Sequence, residues 1–262
     1  MRCIFCKKDS QTSKSVEHVI PESLGNSTLI LAPGVVCDKC NQYFAVKVEK
    51  QLLGESLMES LRSSHFIESK KGKIPTGKGF IDGHEVLIQP TTSGKLKANI
   101  LVPTKVFQSI KHNNSNNVVV STGGLPGESP ITSRFIAKIA LETLAFRTIE
   151  NGFTTDWLVD DIQFDPIRNH AKLGQPKVWN ISRRRLYAPR LENAAGKSYN
   201  IIYHYNILQT NANELYFIIC LFGVEYSINY GGPSMDGYFN WLKEHNDMSP
   251  LYSDGNERPT LE

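Results

Sequence analysis

Two Cys-x-x-Cys pairs, Cys3/Cys6 and Cys37/Cys40, bracket the run Glu17-His18-Val19-Ile20-Pro21, and Asn41 follows the last cysteine directly. Four thiolates at this spacing suit zinc, which takes soft ligands and closes a tetrahedral shell. Such a zinc would tie two distant parts of a short segment into one frame and hold Glu17, His18 and Asn41 near one another. An imidazole can take a proton from water near neutral pH. A carboxylate and an amide oxygen are hard donors that suit Mg2+ or Mn2+. Grouped on one frame, these residues could activate a water and neutralise charge building on a phosphate.

The surrounding pattern supplies elements to position them. Val16 to Ile20 reads as a short strand ended by Pro21. Pro21-Glu22-Ser23-Leu24-Gly25 reads as one helical turn with Gly25 as its stop. Leu29 to Val36, with Pro33-Gly34 inside it, reads as a turn leading into a second strand. A helix is expected from about Asn41, a favoured N-cap residue. Phe44, Val48 and Leu52 recur every four residues, and Leu53, Leu57 and Leu61 continue the apolar face. Gly54 weakens that helix in its middle. The product is a ββα unit folded around zinc.

Composition bounds the rest. The 262 residues carry a net charge of +3, and 40% are apolar. That is an ordinary globular chain with room for one large domain or two small ones. Residues 1–80 hold twelve Lys and Arg against eight Asp and Glu, a mild basic bias near the cysteines that points to a polyanion. The first residues turn charged before any apolar run develops, so no signal peptide is read. No stretch approaches a membrane span. The expectation is a cytoplasmic protein with no membrane partner, where paired cysteines read as metal ligands before disulfides. Cys220 reads as a buried strand residue.

Residues 3–49 resemble the HNH endonuclease family, in the branch whose ββα-metal fold is stapled by a four-cysteine zinc. The match lies in Cys-x-x-Cys, then Glu-His-Val-Ile-Pro-Glu-Ser-Leu-Gly, then Val-Cys-Asp-Lys-Cys-Asn-Gln-Tyr-Phe. The resemblance implies a metal-dependent endonuclease acting on DNA. His18 would be the general base, Glu17 and Asn41 would hold a catalytic Mg2+ or Mn2+, and Cys3, Cys6, Cys37 and Cys40 a structural Zn2+. The middle asparagine that braces the metal loop in many such enzymes has no counterpart, because Ala32 and Pro33 stand there. Asn26 is the nearest asparagine. RNA stays open as a substrate, and double-strand cleavage by a single-site enzyme would favour a homodimer. The competing reading is a non-catalytic zinc-finger-like module that binds nucleic acid or protein.

The expected organisation is α+β: a zinc-stapled HNH domain over 1–68, a basic linker over 69–79 and a mixed α+β C-terminal domain over 80–262, for target recognition or regulation. Phe80 to Val106 alternates β-type runs with turns such as Asp82-Gly83 and Ser93-Gly94, and Lys111 to Asn117 reads as an Asn-rich loop. Ser133 is the expected N-cap of a helix reaching Ile149. Tyr199–Leu208 and Glu214–Tyr230 read as two long β-type runs, and Tyr238–Leu242 as a short helix. Arg183, Arg184, Arg185 and Arg190, with Tyr187 among them, read as a solvated face with phosphate contact as the functional alternative. Glu49, two helical turns beyond Asn41 and on roughly the same side, reads as a solvated surface acid, with support of the site as the alternative. The other six histidines are scattered and read as structural.

Overall fold

The computed structural model describes residues 1–54, 56–68, 72–90, 98–113, 119–120, 127–187, 191–192, 198–199 and 203–252. In chain order these form β1 (Glu17–His18), β2 (Ile30–Leu31), α1 (Asp38–Phe44), α2 (Lys50–Leu53), α3 (Ser56–Ser64), β3 (Gly77–Ile81), β4 (His84–Pro90) and β5 (Ala98–Leu101). There follow α4 (Thr104–Asn113), β6 (Val119–Val120), α5 (Pro130–Glu150), α6 (Asp156–Asp160), α7 (Asp165–Leu173), β7 (Ile181–Arg185), β8 (Leu191–Glu192) and β9 (Ser198–Tyr199). The last elements are β10 (Tyr203–Gln209), β11 (Leu215–Leu221), β12 (Val224–Asn229) and α8 (Asp236–Glu244). The chain is α+β, and none of its described helices is long and apolar enough to cross a membrane.

Two compact units interleave along the chain. One gathers Met1–Ile20, Ser27–Gln51 and Gly127–Glu262, and the other Pro21–Asn26 and Leu52–Pro126. The sequence had suggested a single parting at 69–79, of which residues 69–71 lie outside the described set. The units exchange elsewhere because the cysteine segment packs against α5, far away in sequence.

In the first unit, β1 and β2 pair antiparallel, Glu17 with Leu31 and His18 with Ile30. The helix after the second cysteine pair starts earlier than the pattern suggested. Cys37 is extended and stands at the N-cap, and α1 begins at Asp38. Asn41 therefore lies inside the first turn and does not cap. Beyond α1 the chain winds as a π-helix over Ala45–Glu49 and returns to α-geometry in α2. The four-residue repeat of Phe44, Val48 and Leu52 is longer than an α-helical turn. The wider π winding accommodates it, and all three side chains are buried. The helix breaks at Gly54, between α2 and α3.

Helix α5 carries the rest of this unit. Its N-cap is Ser129, whose hydroxyl accepts from the Thr132 amide at 3.2 Å, with Pro130 at the first helical position, as proline prefers. Ser133, expected at the cap, is one turn inside, where its hydroxyl meets His170 Nε2 at 2.9 Å. Behind α5 stands an antiparallel sheet of order β10-β11-β12-β7. Tyr216, Ile218 and Cys220 of β11 share a buried cluster with Tyr238, Trp241 and Leu242 of α8. Strand alternation sends Phe217, Ile219 and Leu221 to the other face, where β12 packs on α5 and the Tyr230 hydroxyl reaches Ala140 O at 2.8 Å.

The long apolar run Glu214–Tyr230 is not one strand. It folds back at Phe222-Gly223, both with positive φ (47° and 79°), the turn geometry that matches the twist of a hairpin. The usual Asn-Gly signal is replaced by Phe-Gly, so the sequence pattern concealed it. The last residues of the other run, from Tyr203, are β10, and residues 200–202 lie outside the described set.

The second unit holds an antiparallel sheet of order β5-β4-β3-β6 with α3 against β3 and β4. Asp82-Gly83 forms its hairpin turn, as read from sequence. Helix α4 differs from the sequence reading, which ends the β-type runs at Val106 and starts the Asn-rich loop at Lys111: 104–106 and 111–113 are helical instead. The Ser93-Gly94 turn and most of the Asn-rich loop lie outside the described residues.

Gly223 gives the fold a sharp test. A Cβ there would stand 2.2 Å from Tyr187 O, in addition to the strain of its positive φ, whereas one at Gly83, with φ of 78°, would meet nothing within 4 Å. Gly223→Ala is expected to cost about 3 kcal/mol or more and Gly83→Ala about 1 kcal/mol. Urea unfolding of the two variants measures the difference, and equal costs would place the Phe222-Gly223 turn elsewhere.

Candidate zinc centre and active site

The four cysteines of the two knuckles converge. The sulfurs of Cys3, Cys6, Cys37 and Cys40 all lie within 4.8 Å of one another, and Cys6 and Cys37 Sγ are 3.7 Å apart. Zn–S bonds of 2.3 Å in a tetrahedron require sulfurs about 3.8 Å apart, so the cluster has the dimensions of a zinc shell. A hydrogen bond from Cys40 pulls the Cys3 thiol down to about 4 against the opposing effect of burial, helped by the backbone amides of Cys37, Cys6 and Phe5. The same hydrogen bond, then burial, pushes Cys40 up. One thiolate thus forms readily, and a bound cation would favour the others.

Arginines fasten this centre to α5, α6 and α7. Arg168, buried, donates through Nε to Ile4 O at 2.6 Å and through its second amino group to Leu158 O at 2.7 Å. Arg134 reaches the Tyr43 hydroxyl at 3.0 Å and Lys172 O at 2.7 Å. Arg2 pairs with Asp156 and Asp160, but in the open, where such pairs contribute little.

His18 and Glu17 leave β1 on opposite faces, as consecutive strand residues must. Glu17 is buried and His18 half-buried. Among the described residues, His18 Nδ1 is the one histidine nitrogen that is buried with no hydrogen-bond partner. His170 makes the contrast, with Ser133 Oγ on Nε2 and Pro176 O at 2.8 Å on Nδ1. His170 is satisfied as core histidines are, and His18 keeps an unused polar atom. Asn41 donates from Nδ2 to Val16 O at 3.1 Å. That bond joins α1 to the chain two residues before His18 and orients the amide, so that its acceptor Oδ1 is set apart from the donor end.

Glu17 is engaged in a way the sequence did not suggest. Its Oε1 is 2.7 Å from Nζ of Lys138, in the middle of α5. The same ammonium lies 2.9 Å from Glu49 Oε1 and 2.8 Å from Glu142 Oε2. Glu49 is therefore no solvated surface acid; the end of the π-helical stretch delivers it to a buried cation. Burial alone would lower the Lys138 ammonium, but Glu142, Glu17 and Glu49 outweigh it and hold it well above its usual value. Burial holds the Glu142 carboxyl well above the usual range, with Lys138 opposing and Glu17 adding to the rise. Glu142 Oε1 is also buried without a partner, which a neutral carboxyl tolerates better than a carboxylate. The sequence reading of the helix to Ile149 does not single out Lys138. The visible signal was Phe135-Ile136-Ala137-Lys138-Ile139-Ala140-Leu141-Glu142, a helix apolar all round with one Lys/Glu pair at i,i+4.

The arginine cluster divides. Arg184 gives its guanidinium to Glu225 on the neighbouring strand and to Asp247 O at 2.7 Å. Tyr187 is buried, with its hydroxyl 3.4 Å from Cys220 Sγ, and so does not belong to an exposed phosphate-contacting face. Arg183 and Arg185 are exposed on the other face of β7. Arg190 lies outside the described residues. Cys220 is buried in β11, as its sequence context indicated.

Metal removal tests the cysteine centre. Elemental analysis is expected to find about one zinc per chain. Stripping it, or replacing Cys37 by Ser, is expected to unfold the segment before α2, because so short a unit buries little apolar surface alone. Thermal unfolding that is unchanged in zinc-free protein would contradict this.

Comparison with known proteins agrees with this geometry at one place. The family model described as HNH endonuclease matches residues 3–57, the span from the first cysteine to the start of α3. No significant match to the chain was found among curated proteins or solved structures. Residues 3–57, with a cysteine cluster compatible with structural zinc, are an HNH endonuclease domain.

Proposed function

We propose that the protein is an endonuclease that hydrolyses phosphodiester bonds in DNA, with His18 as the general base. What carries the reading is the placement of a half-buried His18 on β1, beside Glu17, within the span that matches the HNH type. The imidazole takes the proton of the attacking water, and the leaving oxygen departs opposite to it. The zinc frame contributes rigidity: β1, β2 and α1 are held by the knuckles, so the imidazole moves little relative to the phosphate it faces.

Hydrolysis also builds charge on the phosphate. A Mg2+ or Mn2+ ion would neutralise it. The expected donors differ in fitness for that ion. Asn41 fits, since its amide oxygen is hard and its amide is oriented by the bond to Val16 O. Glu17 fits poorly, since Oε1 is already bonded to a buried ammonium. Among the described residues of the arginine cluster, Arg183 and Arg185 are exposed on one face of β7 and would meet a DNA backbone, the partner expected of this chemistry.

His18→Ala is expected to lower plasmid nicking by at least ~100-fold while folding and zinc content stay as in the wild type. A folded, zinc-loaded variant that still nicks at the wild-type rate would move the base elsewhere. A protein that binds DNA but never cuts it, with or without Mn2+, would be the non-catalytic zinc module instead. Asn41→Ala is expected to raise the Mn2+ concentration needed for half-maximal nicking by about 10-fold, with activity recovering at high Mn2+. Since Cys37 holds the cap position, no capping loss accompanies the change. An unchanged metal requirement would remove Asn41 from the ligand set.

A further inference from the structure

The Lys138 cluster is built rather than incidental. The side chain is wholly buried; its ammonium donates to Glu17 of β1 and to Glu142 of α5 and stands 2.9 Å from Glu49 at the end of the π-helical stretch. Removing a partner from so buried a charge is strongly destabilising. Glu17 is thus committed to the interior. Because Glu17 and His18 are consecutive in an extended strand, turning one side chain inward turns the other outward. A divalent ion on the Glu17 carboxylate would also stand within about 5 Å of the ammonium, two cations in a poorly solvated place.

We propose that Lys138 is a positioning residue: by anchoring Glu17 inward it sets the rotation of β1 that presents His18, and it occupies the place of a cation at Glu17, which acts as an anchor and not as a metal ligand. Asn41 is then the ligand the chain itself supplies, and the remaining positions of the ion belong to phosphate and water. The kinetic part of this inference rests on the nuclease reading above, and the structural part does not.

The test uses full-length Glu17→Gln, Lys138→Met and the double variant. Glu17→Gln keeps the shape and an acceptor for Lys138. Half-saturating Mn2+ and turnover in plasmid nicking are measured together, with the folding equilibrium from urea unfolding. Turnover is expected to fall by about 10-fold or more in each single variant, with half-saturating Mn2+ unchanged within about 3-fold. The double variant is expected to be no worse than the poorer single one, because both act through one contact. An increase of about 10-fold or more in half-saturating Mn2+ for Glu17→Gln, or a decrease for Lys138→Met, would overturn the proposal and make Glu17 a ligand. If Lys138→Met does not fold, Glu17→Gln decides by its metal requirement. If the wild type cuts no substrate, the nuclease reading fails and the folding data decide the anchor. Coupling of about 10-fold or more between positions 17 and 138 upholds it, and additivity overturns it.

Discussion

One ammonium group carries an unusual share of this structure. Lys138 draws one acid from β1, one from the end of the π-helical stretch and one from its own helix to its buried ammonium. Interactions between charges strengthen as the local dielectric falls, and so does the cost of leaving one unpaired. The cluster therefore selects one arrangement of α5 against the cysteine segment and penalises others. Ridge packing of apolar side chains alone would tolerate sliding by a turn. A lysine that must find Glu17, Glu49 and Glu142 together does not.

The zinc-compatible cluster and the lysine cluster divide the work of holding a small ββα unit. The cysteines fix its two ends, Cys3 and Cys6 against Cys37 and Cys40. Lys138 fixes the strand between them through Glu17, and Arg168 holds Ile4 from α7. His18 lies between these anchors yet belongs to neither, with a buried nitrogen left unused. Rigid surroundings and an unspent polar atom are what a positioned base requires.

Much of the cysteine segment was legible because its signals are local. Cys-x-x-Cys spacing, Glu-His before a proline-ended strand, the Gly25 stop and the break at Gly54 each depend on a few neighbouring residues. So does the Asp82-Gly83 hairpin. What escaped depends on partners distant in sequence. Glu49 looks exposed until Lys138 arrives from far along the chain. Arg184 looks like part of a solvated or phosphate-contacting face until Glu225 of the neighbouring strand β12 pairs with it. The Phe222-Gly223 turn is hidden in an apolar run because Phe222 takes the positive φ that an Asn before the Gly would have announced. The shift of the helix start from Asn41 to Asp38 has the same root, since Cys37 takes the cap position with no side-chain capping bond to mark it.

The central claim is that Glu17 belongs to Lys138 and not to a metal. The most direct measurement is the proton and nitrogen resonance of the Lys138 ammonium in labelled protein, assigned by its loss in Lys138→Met. A buried, paired ammonium exchanges slowly and should give a protected signal at neutral pH. The account predicts that this signal persists, unshifted, when Mg2+ is added to saturation. A signal that shifts or disappears as Mg2+ binds would show the ion displacing Lys138 from Glu17, and would contradict it.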